Sequence, residues 1–394
     1  MIFREPELGP REQRVLGEIC ALGQRLKFNL QNSSIRWSGL LARNLMADAI
    51  RGSNSIEGHV VSKEDALAAV DKVEPQEASE TAWINVVHYR ETMEYILCLS
   101  NVPDFGYSRD LVRSLHYMMM RHDGRANPGT WRQGAIYVRN SGNAELVYVG
   151  PPPEQVSSLM LELARYLTSN DAHVQTRPVR AAMAHLNLTM IHPFSDGNGR
   201  MARALQTLAL ARGGILDPTF SSIEEYLGAN RLAYYDVLAE VGGGKWQPTW
   251  DALPWIRFCL TAHFKQAKTV QRKLAEIAAI GEDVEKELSR VGLPDRAAPA
   301  LVNAVRGEKL RNPSYRVAAG VSQIVASRDL KQLTDAGLLG ARGKKRGRFY
   351  EASDQLRSLT TGHVDKTPIE DPFDGTPSET PPDMEHAVAT PATT

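Results

Sequence analysis

The chain is short of cysteine, of net charge, of aromatic residues and of long apolar runs, and each shortage closes off a class of protein. Cysteine occurs three times in 394 residues, at Cys20, Cys98 and Cys259, far apart and in apolar or helical-looking surroundings. An odd, scattered set supports neither a disulfide framework nor a thiolate zinc site, and it fits a reducing compartment. Lys plus Arg equals Asp plus Glu at 46 each, so no overall field draws the chain onto nucleic acid or an acidic membrane. Any such attraction must be local. No apolar run reaches the roughly 18 residues that a membrane span needs, and the start, MIFREPELGP, carries acids and proline where a signal peptide has a basic end and an apolar stretch. The expectation is a cytoplasmic protein without a membrane partner. With 42% apolar, 23% charged and 7% aromatic residues, usage is that of an ordinary globular protein, which excludes collagen-like and wholly disordered chains and leads us to expect two or three domains.

Residues from about 10 to 290 read as mostly helical, because apolar side chains recur at spacings of three and four, as in LVRSLHYMMM (111–120) and VSSLMLELARYL (156–167). One β-hairpin interrupts them at 135–150. Ile136 and Val138 alternate with other residues, Ser141-Gly142-Asn143 offers a turn, Leu146 to Val149 forms a second extended run, and Pro151-Pro152-Pro153 ends it. Between about 298 and 352 the pattern changes to three small helices and a hairpin, the layout of a winged helix, with Asn312 and Pro313 read as N-cap and first-turn residues of the second helix. From about 361 on, prolines and acids dominate and few large apolar side chains remain, so disorder is expected.

The chemistry concentrates in RPVRAAMAHLNLTMIHPFSDGNGRMARALQTLALARGG. A helix-length apolar run ends at His192-Pro193, a tight loop follows at Asp196 to Gly199, and a second helix runs from about 199 to Arg212. Gly197 and Gly199 lack Cβ, so the loop can turn its amides toward one point at the positive end of that helix, which makes a phosphate-sized anion nest. Arg200 and Arg203 stand i, i+3 in the first turn and reach the same side; two cations there oppose the helix dipole, and an anionic ligand resolves the conflict. Asp196 is a hard oxygen donor of the type Mg²⁺ takes. His192 is the side chain suited to accept a proton near neutral pH. Gly197-x-Gly199-x-x-Ala202 also fits a loose dinucleotide fingerprint, but a helix and not a short strand precedes it, and no parallel-strand series follows.

Residues 192–203 resemble the Fic family signature, H-x-F-x-D/E-G-N-G-R-x-x-R, at all of its specified positions. The resemblance extends over roughly 45–240, with PGTWRQGAIYV and VYVGPPPEQV similar to the family's hairpin flap and flanks. It implies a mostly α protein: a Fic-type helical core with a β-hairpin flap, followed here by the small winged-helix domain. It also implies transfer of AMP from ATP, with Mg²⁺, to a Tyr, Thr or Ser hydroxyl of a target protein docked at the 135–150 hairpin. On that carry-over His192 is the base, Asp196 the metal ligand, and Gly197, Asn198 and Gly199 form the anion hole. Arg200 and Arg203 hold the outer phosphates, Phe194 anchors the loop, and Asn230 stands where the family places a nucleotide contact. Ser53-Asn54-Ser55-Ile56-Glu57-Gly58 is similar to the family's inhibitory pattern S/T-x-x-x-E-G/N. Ser53 and Glu57 are i, i+4 on one helical face, and the carboxylate is a natural partner for Arg203.

The organisation expected is an N-terminal helical region (1–105) with an inhibitory helix at about 45–60, a catalytic core (106–245), a helical connector (246–295), a winged helix (296–355) and a disordered acidic, Pro-rich tail (356–394). Five cations, Arg342, Lys344, Lys345, Arg346 and Arg348, crowd the wing, and Ser322, Gln323, Ser327, Arg328 and Lys331 lie on the helix before it. These residues offer DNA as a second partner or, equally, a docking or dimerising surface. A DNA-binding regulator with a Fic-like sensor core, transfer of another group, removal of AMP, and a homodimer all stay open.

Overall fold

A computed structural model describes residues 1–33, 35–139, 146–169, 176–212, 217–344, 347–363 and 365–374. Helices dominate, as expected. In chain order they are α1 (Pro10–Asn32), α2 (Ile35–Ile56), α3 (Lys63–Val70), α4 (Glu80–Ser100) and α5 (Arg109–Met120), then the strands β1 (Tyr137–Arg139) and β2 (Leu146–Val149). There follow α6 (Pro153–Thr168), α7 (Arg177–Ile191), α8 (Asn198–Ala211), α9 (Pro218–Ser221), α10 (Glu224–Ala229), α11 (Arg231–Gly242) and α12 (Leu253–Arg290). The last elements are α13 (Ala298–Val305), α14 (Asn312–Ala319), α15 (Gln323–Asp335), β3 (Leu339–Arg342), β4 (Phe349–Ala352) and α16 (Asp354–Leu359). Local chemistry sets many of the starts. Ser62, Ser79, Ser108, Ser322 and Ser353 each accept a hydrogen bond from a first-turn amide, and prolines open α1, α6, α7 and α12. At α14 the N-cap is Arg311, one residue before the expected Asn312, because Ser314 Oγ accepts from the Arg311 amide at 2.9 Å.

Three apolar clusters hold the chain together. The first surrounds α8 and Phe194 with side chains of α4 to α7. The second joins α1, α7 and α11 to the first half of α12 through Trp255, Ile256, Cys259 and Leu260. The third joins the start of α2 (Trp37, Leu40, Leu41, Leu45) to the second half of α12 and to α13, α14 and α15. Helix α12 is 38 residues long, about 57 Å at 1.5 Å per residue. The stretch expected as a connector is thus a core element of two clusters. Among the described residues no helix is long and apolar enough to cross a membrane.

The hairpin pairs Tyr137 with Val149 and Val138 with Tyr148, then loses register before Arg139; its expected turn, 141–143, lies outside the described residues. Strand β2 is flanked on its other side by the 244–246 segment, through Val149 N to Gly244 O (3.0 Å) and Trp246 N to Val149 O (2.9 Å).

The tail departs from the expectation of disorder from 356. Leu356 is buried in α16, and 365–374 lies along α12 and α1. Ile369 and Phe373 pack against the second cluster, Arg14 donates to the Pro372 carbonyl at 2.8 Å, and Asp365 pairs with Arg272 at 2.9 Å. Two apolar anchors and matched charges suffice to order a segment whose composition is otherwise that of a solvated tail. Residues 375–394 lie outside the described chain.

Candidate active site

Helix α7 ends at His192, whose backbone is left-handed at φ 51°. That turn aims the next residues back across the top of α8. The side chain of His192 places Nδ1 3.1 Å from the Thr189 carbonyl. A carbonyl only accepts, so Nδ1 carries the proton and Nε2 is left as the basic nitrogen. Burial lowers the imidazole's affinity for a proton; the Thr189 carbonyl opposes this, and Arg132 adds to the lowering.

The loop is tied from inside. Phe194 is fully buried, and the Asn198 amide brackets its main chain, accepting from Phe194 N and donating to Phe194 O, both at 2.9 Å. The Asn198 side chain is therefore spent on the loop, while the anion hole expected of Gly197, Asn198 and Gly199 concerns their main-chain amides. Asp196 is exposed, and its Oδ1 accepts from Gly197 N at 2.6 Å. Gly197 begins α8 at φ 75°, and a Cβ there would stand 2.9 Å from Met120 Sδ. Glycine is required on both counts.

Arg200 and Arg203 are buried. Arg200 Nη1 donates to Asn85 Oδ1 at 2.6 Å. Arg203 Nε donates to Ser53 Oγ at 2.7 Å, and its Nη2 reaches Ser53 O at 3.0 Å and Glu57 Oε1 at 2.7 Å. The expected pairing of Glu57 with Arg203 is thus present, with Glu57 one residue beyond the end of α2. Burial pushes the Glu57 carboxyl up, but Arg203, Arg200 and His192 outweigh it and hold it below the usual range. The carboxylate lies over Gly199, where a Cβ would come within 2.3 Å of Oε1. It therefore sits at the amide end of α8, the position expected for phosphate. Within the described residues, Arg200 Nε and Arg203 Nη1 are buried donors without a partner, which is the condition an incoming anion would relieve.

Asn230 does not join this site through its amide, which donates to the Tyr226 carbonyl at the end of α10 at 2.8 Å. Tyr235, little more than a turn along, donates instead to the Ile56 carbonyl at 3.0 Å.

Four side chains outside the motif complete the frame. Arg132 is 4% exposed; its Nε donates to His192 O at 2.7 Å, Nη1 to Gly134 O at 2.8 Å and Nη2 to Pro151 O at 2.6 Å. It pins both feet of the hairpin to the backbone of His192. His116 stacks on Phe194 at 3.6 Å between ring centres. Its Nδ1 accepts from Gly129 N at 2.9 Å while Nε2 faces the Asp196 carbonyl at 3.0 Å. Burial holds this histidine neutral, with its pKa lowered to about 4. Glu224, buried, accepts from Tyr89 Oη at 2.5 Å and from Thr207 Oγ1 at 3.3 Å. Beside it α10 crosses α2 closely enough that a Cβ on Gly52 would lie 2.4 Å from Glu224 O. Asn85 completes the set by turning Arg200. Sequence reasoning singled out none of these four side chains.

Among the described residues no three His, Cys, Asp or Glu side chains converge as a metal cluster. In the C-terminal unit, α13 to β4, Lys344 and Arg348 are exposed, Arg342 pairs with Glu351 at 2.7 Å, and Lys345 and Arg346 lie outside the described residues. Gln323, Ser327 and Lys331 of α15 line a cleft of about 1000 Å³ whose opposite wall includes Glu64, Asp71 and Glu74.

Residues 106–210 match the model of the Fic/DOC family, so this stretch, about a quarter of the chain, is a Fic domain. The "Protein adenylyltransferase Fic" of Aedes aegypti is 34% identical over 168 residues, which cover 42% of this chain and 30% of that protein. The protein of the same name from Nematostella vectensis is 26% identical over 240 residues, 60% of this chain and 51% of its own. The chain thus spans from about a third to about half of the length of these curated relatives. A Fic family protein from Desulfovibrio desulfuricans G20 superposes with a TM-score of 0.57 at 23% identity, over 89% of this chain and 98% of its own. A Fic domain containing signaling protein from Bacteroides thetaiotaomicron does so with 0.54 at 17% identity, over 66% and 96%. These two show the shared fold.

Proposed function

We propose that the chain is a protein adenylyltransferase that transfers AMP from ATP to a hydroxyl of a target protein and is held back by Glu57. The observation that carries this reading is the meeting of one carboxylate, one buried arginine and the amide end of α8, opposite a histidine whose Nε2 is the basic nitrogen. Nε2 of His192 takes the proton of the target hydroxyl. That oxygen then bonds to the α-phosphorus, the α–β anhydride bond breaks and pyrophosphate leaves. Arg203 and Arg200, each with a buried donor to spare, grip the outer phosphates. The residues fit Mg²⁺: Asp196 offers one exposed carboxylate beside the nest, the mode in which this ion keeps its waters and shares substrate oxygens, and the bound ion would offset phosphate charge.

Glu57 opposes this by occupying Arg203 and the space over Gly199. A target segment docks on the hairpin: β2 is flanked on both sides, while β1 leaves an edge for strand addition, and Arg132 ties that hairpin to His192. Incubation with α-labelled and γ-labelled ATP and Mg²⁺ in parallel, followed by mass spectrometry of the modified protein, tests the reading. Transfer of the α label supports it, and transfer of the γ label alone overturns it in favour of phosphate transfer.

A further inference from the structure

Helix α2 has two ends with different company. At its C-terminal end Ser53 and Glu57 hold Arg203. At its N-terminal end Trp37 lies against Gly281 of α12, where a Cβ would stand 2.5 Å from its ring; Leu40, Leu41 and Leu45 share a core with α13, α14 and α15. Between them lies a clamp. Arg43 makes two 2.7 Å hydrogen bonds to Asp71, just past α3, and reaches Glu308, in the turn after α13, at 3.1 and 3.2 Å. All three side chains are nearly buried, at 12%, 3% and 6% exposure. Asn44 adds a 3.4 Å contact to Asn303 of α13. One turn further on, Asp48 accepts from Lys273 of α12 at 2.8 Å.

A helix transmits a shift along its axis with little loss, since every residue is fixed to its neighbours by the hydrogen-bond ladder. The step from Arg43 to Glu57 is about 21 Å on that basis. The far end is poised to report movement: Glu57 meets Arg203 with a single 2.7 Å contact, and Gly52 sits against α10 with no room to spare. The clamp is also open to one side, because Arg43, Asp71 and Glu308 line the cleft that Lys331 and Ser327 of α15 face. Whatever engages α15 there reaches the clamp directly.

We infer that α2 is a strut through which the C-terminal unit sets the grip of Glu57 on Arg203, with the Arg43–Glu308 pair as the joint. The inference rests on the inhibitory reading of Glu57. Glu308→Gln unties the joint on the C-terminal side while leaving Arg43 its two bonds to Asp71. The experiment compares ATP affinity and AMP transfer in the wild type, Glu308→Gln, Glu57→Gly and the double variant, all as full chains. Glu308→Gln is expected to raise both quantities about five-fold, the lower end of usual site-to-site coupling, and to add less than about two-fold in the Glu57→Gly background. A Glu308→Gln protein equal to wild type, beside an activated Glu57→Gly, overturns the strut alone. An unchanged Glu57→Gly overturns the inhibitory reading and the strut with it. An equal gain from Glu308→Gln in both backgrounds overturns the strut, since the effect then bypasses Glu57. Hydrogen exchange on the wild type supplies a second measurement that needs no variant at the joint: ATP with Mg²⁺ should speed exchange in 298–319, and unchanged exchange there overturns the coupling.

Discussion

Glu57 Oε1 lies 2.7 Å from Arg203 Nη2 and covers Gly199 so closely that a methyl group on Gly199 would collide with it. One carboxylate therefore neutralises the arginine and fills the amide end of α8 together, both of which the outer phosphates of ATP would need.

Glu57→Gly should raise AMP transfer, with self-modification the first product to seek. Loss of the carboxylate frees Arg203 to hold phosphate in the orientation that sets the α-phosphorus in line with the acceptor, and orientation is worth orders of magnitude in rate; a gain of ten-fold or more is expected on the order of one charge-assisted pair removed. Arg203→Ala should cancel the gain. A Glu57→Gly protein with wild-type transfer and wild-type ATP affinity would refute inhibition by this residue.

His192→Ala, made in the Glu57→Gly background, should abolish transfer and leave ATP affinity within about two-fold, because the base acts on the acceptor oxygen and not on the phosphates. The pH profile carries a sign. Burial lowers the His192 pKa, the base must be neutral, and so transfer should stay level as pH falls through about 6.5, the ordinary imidazole value, and decline only below it. A decline that begins well above pH 7 contradicts the environment seen here.

How much of this was legible follows the spacing of the contacts. The stretch 192–203 makes its site from consecutive residues, so a loop with two glycines and two arginines one turn apart could be read without tertiary knowledge. Glu57 needed a second, distant pattern, and its partner is 146 residues away. Arg132 and His116 could not be read, since their work is to satisfy main-chain carbonyls 60 and 80 residues away, and carbonyls leave no mark on a sequence. The same blindness hid α12: its apolar stripe faces one core in its first half and another in its second, so it reads as a connector. Ile369 and Phe373 were too few to register as a folding segment, but α12 supplies the surface and the cations they need.

The β3–β4 hairpin gives a separable prediction. If its cations grip a phosphate backbone, the full chain should bind duplex DNA with a log–log salt slope that flattens by about 0.9 for each phosphate no longer gripped, and Lys344→Ala with Arg348→Ala should show this. Because Glu64 and Glu74 face α15 across the cleft, Glu74→Gln should strengthen binding by reducing repulsion. No binding even at low salt would make the unit a protein-docking module.

The last prediction concerns stability in mild acid. His116 accepts from Gly129 N through Nδ1, so it cannot be protonated there without losing that bond, and Nε2 is the atom that donates to the Asp196 carbonyl. Fully buried, its pKa falls to about 4, against about 6.5 in an unfolded chain. Between those values the unfolded state binds the extra proton and the native state does not, so stability rises with pH through that window and is lost as pH falls from about 6.5 to 4. A difference of this size is worth about 3 kcal/mol from His116 alone. His185 and His263, also buried, have pKa values lowered to about 3 and about 4, and they push the same way. Urea unfolding at pH 7 and at pH 4.5 should show the loss, and His116→Gln, which cannot take up a proton, should show a smaller one. Equal losses of stability in the two proteins over that range would rule out His116 as the loop anchor.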